Sequence, residues 1–483
     1  MAVIDALGLE NTYASALEGF YVPMMPAGFP EPNLVVLNRP LLDALGLNAG
    51  AVEPIAARLF SGTDVPADAV TLAQAYAGHQ FGGFSAQLGD GRAVLLGEVV
   101  DPQGVRRDLQ LKGSGPTAFS RGGDGKATLG PVLREYLMGE AMHHLGIPTT
   151  RALAAVTTGE TVYRSEPLPG AVLARVAASH LRVGTAQFFA ARGDTEKLRR
   201  LVDYSLARHF PDRVGAENPA QALLEGVAGV QATLIAKWLH VGFIHGVMNT
   251  DNATLSGETI DYGPCAFMDT YDPATVYSSI DRQGRYAYGN QPRMGQWNVA
   301  RLADALLTLL SPDEAAAISI AEGALSLYAT THERAWLDGM RRKIGIEDTH
   351  ADDATLVTDL LANMGQMQRD YTGTFRELAA GLLAGKAPFA DNDFEAWNTR
   401  WLARLDGADL PAVAARMNQV NPVYIPRNHL VEAALDAAIA GDLTPFETLM
   451  SVLSNPYEAQ PGREAYAEPA PATFGPYRTF CGT

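Results

Sequence analysis

The chain has 483 residues, 47% hydrophobic and 19% charged, with a formal net charge of −17. This length supports a large buried core in two or three sub-domains. The surplus of carboxylates argues against a protein that grips nucleic acid through its phosphates.

The two cysteines, Cys265 and Cys481, are too few for a disulfide framework or a four-cysteine zinc site, and read first as ordinary thiols. The N-terminus, MAVIDALGLENTYASALEG, lacks the basic region and long apolar stretch of a signal peptide. No apolar run of about 18 residues suggests a membrane span. The expected location is the cytoplasm, with a monomer as the default state.

Residues 1–70 are Pro- and Ala-rich and weakly periodic. Residues 84–112 read as β-structure, with Asp90-Gly91 as a hairpin signal between strand-like runs and Lys112 ending the next run, DLQLK. GSGPTAFSRGGDGKATLG is a glycine-rich loop. A helix is expected to begin near Pro131, carry the apolar stripe Leu133, Leu137, Met138, Ala141 and Leu145, and end at Gly146. Residues 151–176 return to strand. Beyond about 185 the pattern is mainly helical, strongest at 221–241, 298–311, 313–331, 355–365 and 428–440, ahead of a Pro/Ala-rich tail. The expected fold class is α+β: a β-rich N-terminal lobe, a larger helical lobe, and a cleft between them.

Several groups in this order carry chemistry. Lys112 ends a strand and Glu135 lies on the next helix, as when a lysine is held against nucleotide phosphates; a surface Lys and a solvated Glu would look the same. Gly89-Asp90-Gly91 followed by Arg92, and Asp124-Gly125-Lys126, offer turn N–H groups and positive charge to a phosphate, or are plain turns. Arg175 and Arg182 stand in apolar surroundings, where a salt bridge or a polyphosphate would account for them. The richest stretch is HGVMNTDNATLSGETIDYGPC. Asp251, Asn252 and Asp261 together offer hard oxygens for Mg²⁺ and leave one carboxylate free to accept a proton from an attacking hydroxyl; a polar loop with Asx-turns would show the same residue types. Its TLSGETIDYG portion reads as a short hairpin. His245 reads as loop-shaping, and His79, His143 and His144 as structural.

The order of strand Lys, helix Glu, H-G-x-x-N-x-D-N and D-Y-G resembles a protein-kinase-like fold. Longer blocks, AYAGHQFGGFSAQLGDGRA, LQLKGSGPTAFSRGGDGKATLGPVLREYLM, HLRVGTAQFF and GFIHGVMNTDN, are similar to the selenoprotein O (YdiU) family across nearly the whole chain. The resemblance implies a protein adenylyltransferase that binds ATP inverted and moves AMP to Ser, Thr or Tyr hydroxyls of target proteins. It implies Asp251 as proton acceptor and Asn252 and Asp261 as ligands of Mg²⁺, with Mn²⁺ as an alternative ion. Gly89, Gly91, Arg92, Lys112, Asp124, Gly125, Arg175, Arg182 and Asp261 then contact nucleotide, and Glu135 positions Lys112. It also implies a regulatory disulfide between Cys265 and Cys481; with cysteine rather than selenocysteine at the tail, selenium chemistry is not carried over. It divides the chain into an N-terminal extension (1–70), a kinase-like N-lobe (71–180), a helical C-lobe (181–460) and a tail (461–483). A phosphotransferase using the γ-phosphate and a silent nucleotide-binding scaffold are the alternatives; UTP in place of ATP stays open.

Overall fold

The computed structural model describes residues 7–385 and 392–480. Cys481, and with it the Cys265–Cys481 pairing, lies outside them.

One antiparallel sheet dominates the first third of the chain. Its strands are β1 (Tyr21–Pro23), β2 (Asn33–Leu37), β3 (Leu72–Gln74), β6 (Ala93–Val100), β7 (Arg106–Lys112), β9 (Arg151–Tyr163) and β10 (Pro167–Ala177), in the spatial order β1-β3-β6-β7-β10-β9-β2. Two short strands, β4 (Gly78–Gln80) and β5 (Gly83–Ser85), form a separate hairpin, and β8 (Ala127–Thr128) adds to β10. The strands around Asp90-Gly91 do not pair with each other. β5 pairs back on β4 and β6 on β3, which corrects the expected hairpin.

The period of two explains the sheet's faces. Leu109 and Leu111 of β7 enter one core with Leu96, Leu153 and Val176, capped by Leu41, Leu42, Leu59 and Phe60 from short helices in the first 61 residues. The alternate residues, Gln110 and Lys112, stand opposite Arg175 and Leu173 of β10 on the other face. That face carries α1 (Leu129–His144), whose Leu133 and Leu137 pack with Leu173 and Ala155. Helix α1 ends with Gly146 at φ +73°, as expected.

The rest is mainly helical: α2 (Val183–Ala190), α3 (Pro219–His240), α4 (Gln291–Leu310), α5 (Glu314–Lys343) and several further helices. Asn218 caps α3 by accepting from Gln221 N, and Pro219 fits its first turn. By length and composition α3 could cross a bilayer, with a mean hydropathy of 1.2, but 72% of its most apolar window is buried within the protein. A second core gathers Trp397, Trp401, Tyr371 and Phe375. Residues 254–263 form no hairpin: Thr254 bridges to Arg182 and Thr259 to Thr149, so this loop is stitched to two distant segments. The result is a mixed α/β molecule with a large antiparallel sheet and many helices.

Candidate active site

A cleft of about 390 Å³ is lined by Gly89, Gly91, Arg92, Lys112, Asp124, Gly125, Glu135, Arg175, Arg182, Asp251, Asn252 and Asp261, the residues expected to serve nucleotide, metal or proton transfer. The sheet delivers Lys112 and Arg175 because they share a face two residues apart along adjacent strands. Lys112 Nζ donates to Glu135 Oε2 at 2.6 Å and to Asp261 Oδ1 at 2.5 Å. Arg175 donates to the same two carboxylates, at 3.0 Å and 2.7 Å. Arg182 lies 3.7 Å from Asp261 Oδ2 and over the Tyr76 ring at 4.4 Å. Burial alone would raise the Asp261 carboxyl, but Lys112, Arg175 and Arg182 together hold it well below the usual carboxylate range. Asp261 adopts φ +62°, a strained setting for a side chain other than glycine.

The two arginines are 3% and 2% exposed, and Arg175 Nε and Arg182 Nη2 are buried without a hydrogen-bond partner. Buried cationic donors with spare capacity suit the oxygens of a polyphosphate.

Asp251 meets the same Arg182 nitrogen that faces Asp261: Nη1 donates to the Asp251 carbonyl at 3.0 Å. Its carboxylate Oδ2 accepts from Gln80 Nε2 at 3.2 Å, while Oδ1 is buried with no partner. Burial pushes this carboxyl up to about 6, into the range of a proton acceptor at neutral pH. Asn252 spends its amide NH₂ on Val247 O at 3.0 Å, which leaves Oδ1 for a cation. Asn252 Oδ1 with the Asp261 carboxylate is a hard, oxygen-only donor set, which fits Mg²⁺ completed by waters and phosphate oxygens. His245 is buried; its ring bonds Ile260 O at 2.9 Å, and burial keeps it neutral, a loop-shaping role.

Two glycines are required at the rim. Gly89 has φ +79°, and a Cβ there would lie 2.3 Å from Phe119; Gly125 has φ +67° and would meet the Gly115 backbone at 2.2 Å. Asp124 is tied to Arg164 at 2.8 Å and 3.0 Å, and this hydrogen bonding lowers its carboxyl.

The sequence reasoning passed over several residues. Gln110 Oε1 accepts from Arg175 Nη2 at 2.6 Å, and its Nε2 donates to the buried Asp90 carboxylate at 3.0 Å, so a polar relay backs the arginines. The period-two relation of Gln110 to Lys112 is the signal that could have found it. Arg134 precedes Glu135 on α1 and donates to Gly263 O at 3.2 Å, Cys265 O at 2.6 Å and Glu432 Oε1 at 3.0 Å. Adjacent residues of one helix thus hold the cations and the loop after Asp261. Cys265 is buried and has no disulfide partner among the described residues; burial pushes its thiol up to about 12, and Thr479 of the tail reaches its neighbour, donating to Pro264 O at 2.6 Å.

A family model described as protein adenylyltransferase SelO matches residues 4–454. The chain is 58% identical over 480 residues to a protein nucleotidyltransferase YdiU from Cereibacter sphaeroides, covering 98% of this chain and 99% of that one. It is 55% identical over 493 residues to the protein of the same name from Rhizobium meliloti, covering 99% of this chain and all of the relative (100%).

Proposed function

The chain belongs to the SelO family of protein adenylyltransferases, and from that premise we propose how its cleft transfers AMP from ATP to a hydroxyl of a target protein with release of pyrophosphate. The observation that carries the reading is that one cleft holds three cations gathered on one carboxylate and a second carboxylate that none of them pairs. Lys112, Arg175 and Arg182 gather around Asp261, while Asp251, raised to about 6, keeps a buried Oδ1 with no partner.

The β- and γ-phosphates go to Lys112, Arg175 and Arg182, and the α-phosphate faces the Asp251 carboxylate. A Ser, Thr or Tyr hydroxyl loses its proton to an Asp251 oxygen as its own oxygen bonds to the α-phosphorus. The bond from the α-phosphorus to the bridging oxygen breaks, and the electron pair leaves on pyrophosphate. Lys112, Arg175 and Arg182 stabilise that departing charge from fixed positions, so little reorganisation is needed. Glu135 holds Lys112 and Arg175 in place. Asn252 and Asp261 would hold Mg²⁺, or Mn²⁺ in its place, and the ion would supply charge neutralisation between phosphate oxygens. The sheet-bearing and helical halves correspond in this reading to the two lobes of a kinase-like fold. A silent scaffold would have no use for a proton acceptor held at about 6.

Asp261→Ala is expected to abolish AMP transfer to protein, measured with α-labelled ATP and Mg²⁺. Full transfer by that variant in a metal-dependent assay would contradict the assignment.

A further inference from the structure

Residues 282–303 hold four arginines and no acidic residue, in a chain whose net charge is −17. On α4, Arg293, Trp297 and Arg301 recur at intervals of four and share one face. Two guanidiniums lie over the Trp297 indole, Arg285 at 4.7 Å and Arg301 at 5.3 Å from the ring centroid. Arg301 has a carboxylate partner, Asp304, at 2.9 Å. Among the described residues Arg285 has none; the residue is half-buried, with its Nε and Nη2 buried and without a hydrogen-bond partner. Arg293 is exposed.

This face adjoins the proton acceptor. The His79 ring meets Trp297 edge-on at 5.3 Å, and His79 stands opposite Phe84 in the β4–β5 hairpin. Phe84 is 46% exposed. The next residue, Gln80, is the one that bonds Asp251. From below, Tyr286 Oη donates to Asn249 Oδ1 at 2.7 Å, tying the arginine segment to the loop that carries Asp251.

We propose that Arg285, Trp297 and Arg301, with Arg293 and the exposed Phe84, form the docking surface for the acceptor protein, and that it selects hydroxyl residues flanked by Asp or Glu. This rests on the AMP-transfer reading and deepens it by naming the substrate class. Stacking on an indole fixes a guanidinium and leaves only its outward N–H groups to meet a carboxylate. The chain's net charge of −17 repels an acidic partner overall, so a local positive patch beside Asp251 focuses such a segment onto the one place where transfer occurs. A hydroxyl placed between acidic neighbours then meets Asp251 while its flanks pair with the arginines.

The test uses the full chain with ATP, Mg²⁺ and two fluorescent peptides with the same central hydroxyl, one flanked by Asp and Glu, the other by Asn and Gln. The acidic peptide is expected to show a kcat/KM about tenfold higher, a difference that shrinks with salt and disappears in Arg285→Gln/Arg301→Gln, while the KM for ATP stays unchanged. Arg293→Gln, at an exposed position that poses no folding risk, is expected to raise the KM for the acidic peptide by about twofold to fivefold. Equal use of both peptides by the wild type overturns the proposal, as does a preference retained in the double variant. Anisotropy of the acidic peptide on Asp251→Asn measures docking without turnover. Arginine-dependent binding with no AMP transfer by the wild type would sink the reaction reading and leave docking intact. Transfer without acidic preference would do the reverse.

Discussion

Arg134→Met removes one side chain that ties three parts of the molecule together. Arg134 is 8% exposed, and it donates to the carbonyls of Gly263 and Cys265 and to Glu432, which also accepts from Tyr477 of the tail at 2.5 Å. Methionine fills much of the same volume, so the loss is chiefly polar. The buried Cys265 carbonyl and the half-buried Gly263 carbonyl lose an ionic donor, and the partly exposed Glu432 loses its counter-charge, a cost of about 2–3 kcal/mol. That cost falls on the loop just after Asp261 rather than on the sheet. The expected result is faster amide exchange in residues 261–268 with little change in β6, β7 and β10, together with a fall in kcat of about tenfold or more as Asp261 loses its support. Arg134→Lys, which keeps the charge but not the fork, should fall between. Wild-type exchange and wild-type turnover in Arg134→Met would refute the positioning role.

Other outcomes follow from single residues. Gly89→Ala combines a left-handed φ with a Cβ 2.3 Å from Phe119, and should cost about 2–4 kcal/mol in thermal melts and raise the KM for ATP. Gly122→Ala, with φ +85° and nothing within 4 Å, should cost only about 1–2 kcal/mol, and equal losses for the two would contradict the steric argument. Burial pushes the Glu258 carboxyl up to about 7. A raised carboxyl pKa means that the folded state holds the proton more tightly, so this group's contribution to stability declines as pH rises from its ordinary value through about 7. Glu258→Gln should therefore gain up to about 3 kcal/mol over wild type at pH 8 and gain nothing at pH 4; an equal offset at both would count against the sign.

Much of the site was legible because its parts obey short-range rules. Lys112 and Arg175 converge through the period of two on paired strands, Glu135 through the helix that follows, and Asp251, Asn252 and Asp261 through one compact polar stretch. What escaped depends on contacts distant in sequence. Asp90-Gly91 carries the local signature of a hairpin turn, yet the Asp90 carboxylate is buried against Gln74 N and Gln110 and serves the cleft instead. The true hairpin, β4–β5, is three residues a side and is pinned by Thr250 and Asn249, some 170 residues away in sequence (171 and 168). Arg134 was hidden because α1 is buried nearly all round, so the apolar stripe that exposes a charged face on a surface helix gives no contrast there. The first 70 residues, weakly periodic in sequence, supply both edge strands β1 and β2 of the main sheet, whose short runs acquire their partners only in the folded sheet.

The most direct measurement is label transfer from ATP. The full chain is incubated with Mg²⁺ and protein acceptor, in parallel with ATP labelled at the α-phosphate and at the γ-phosphate, and the protein-bound label is counted. Retention of the α label alone, with the γ label recovered in pyrophosphate, is the predicted result. Retention of the γ label alone would contradict the placement of the β- and γ-phosphates against Lys112, Arg175 and Arg182.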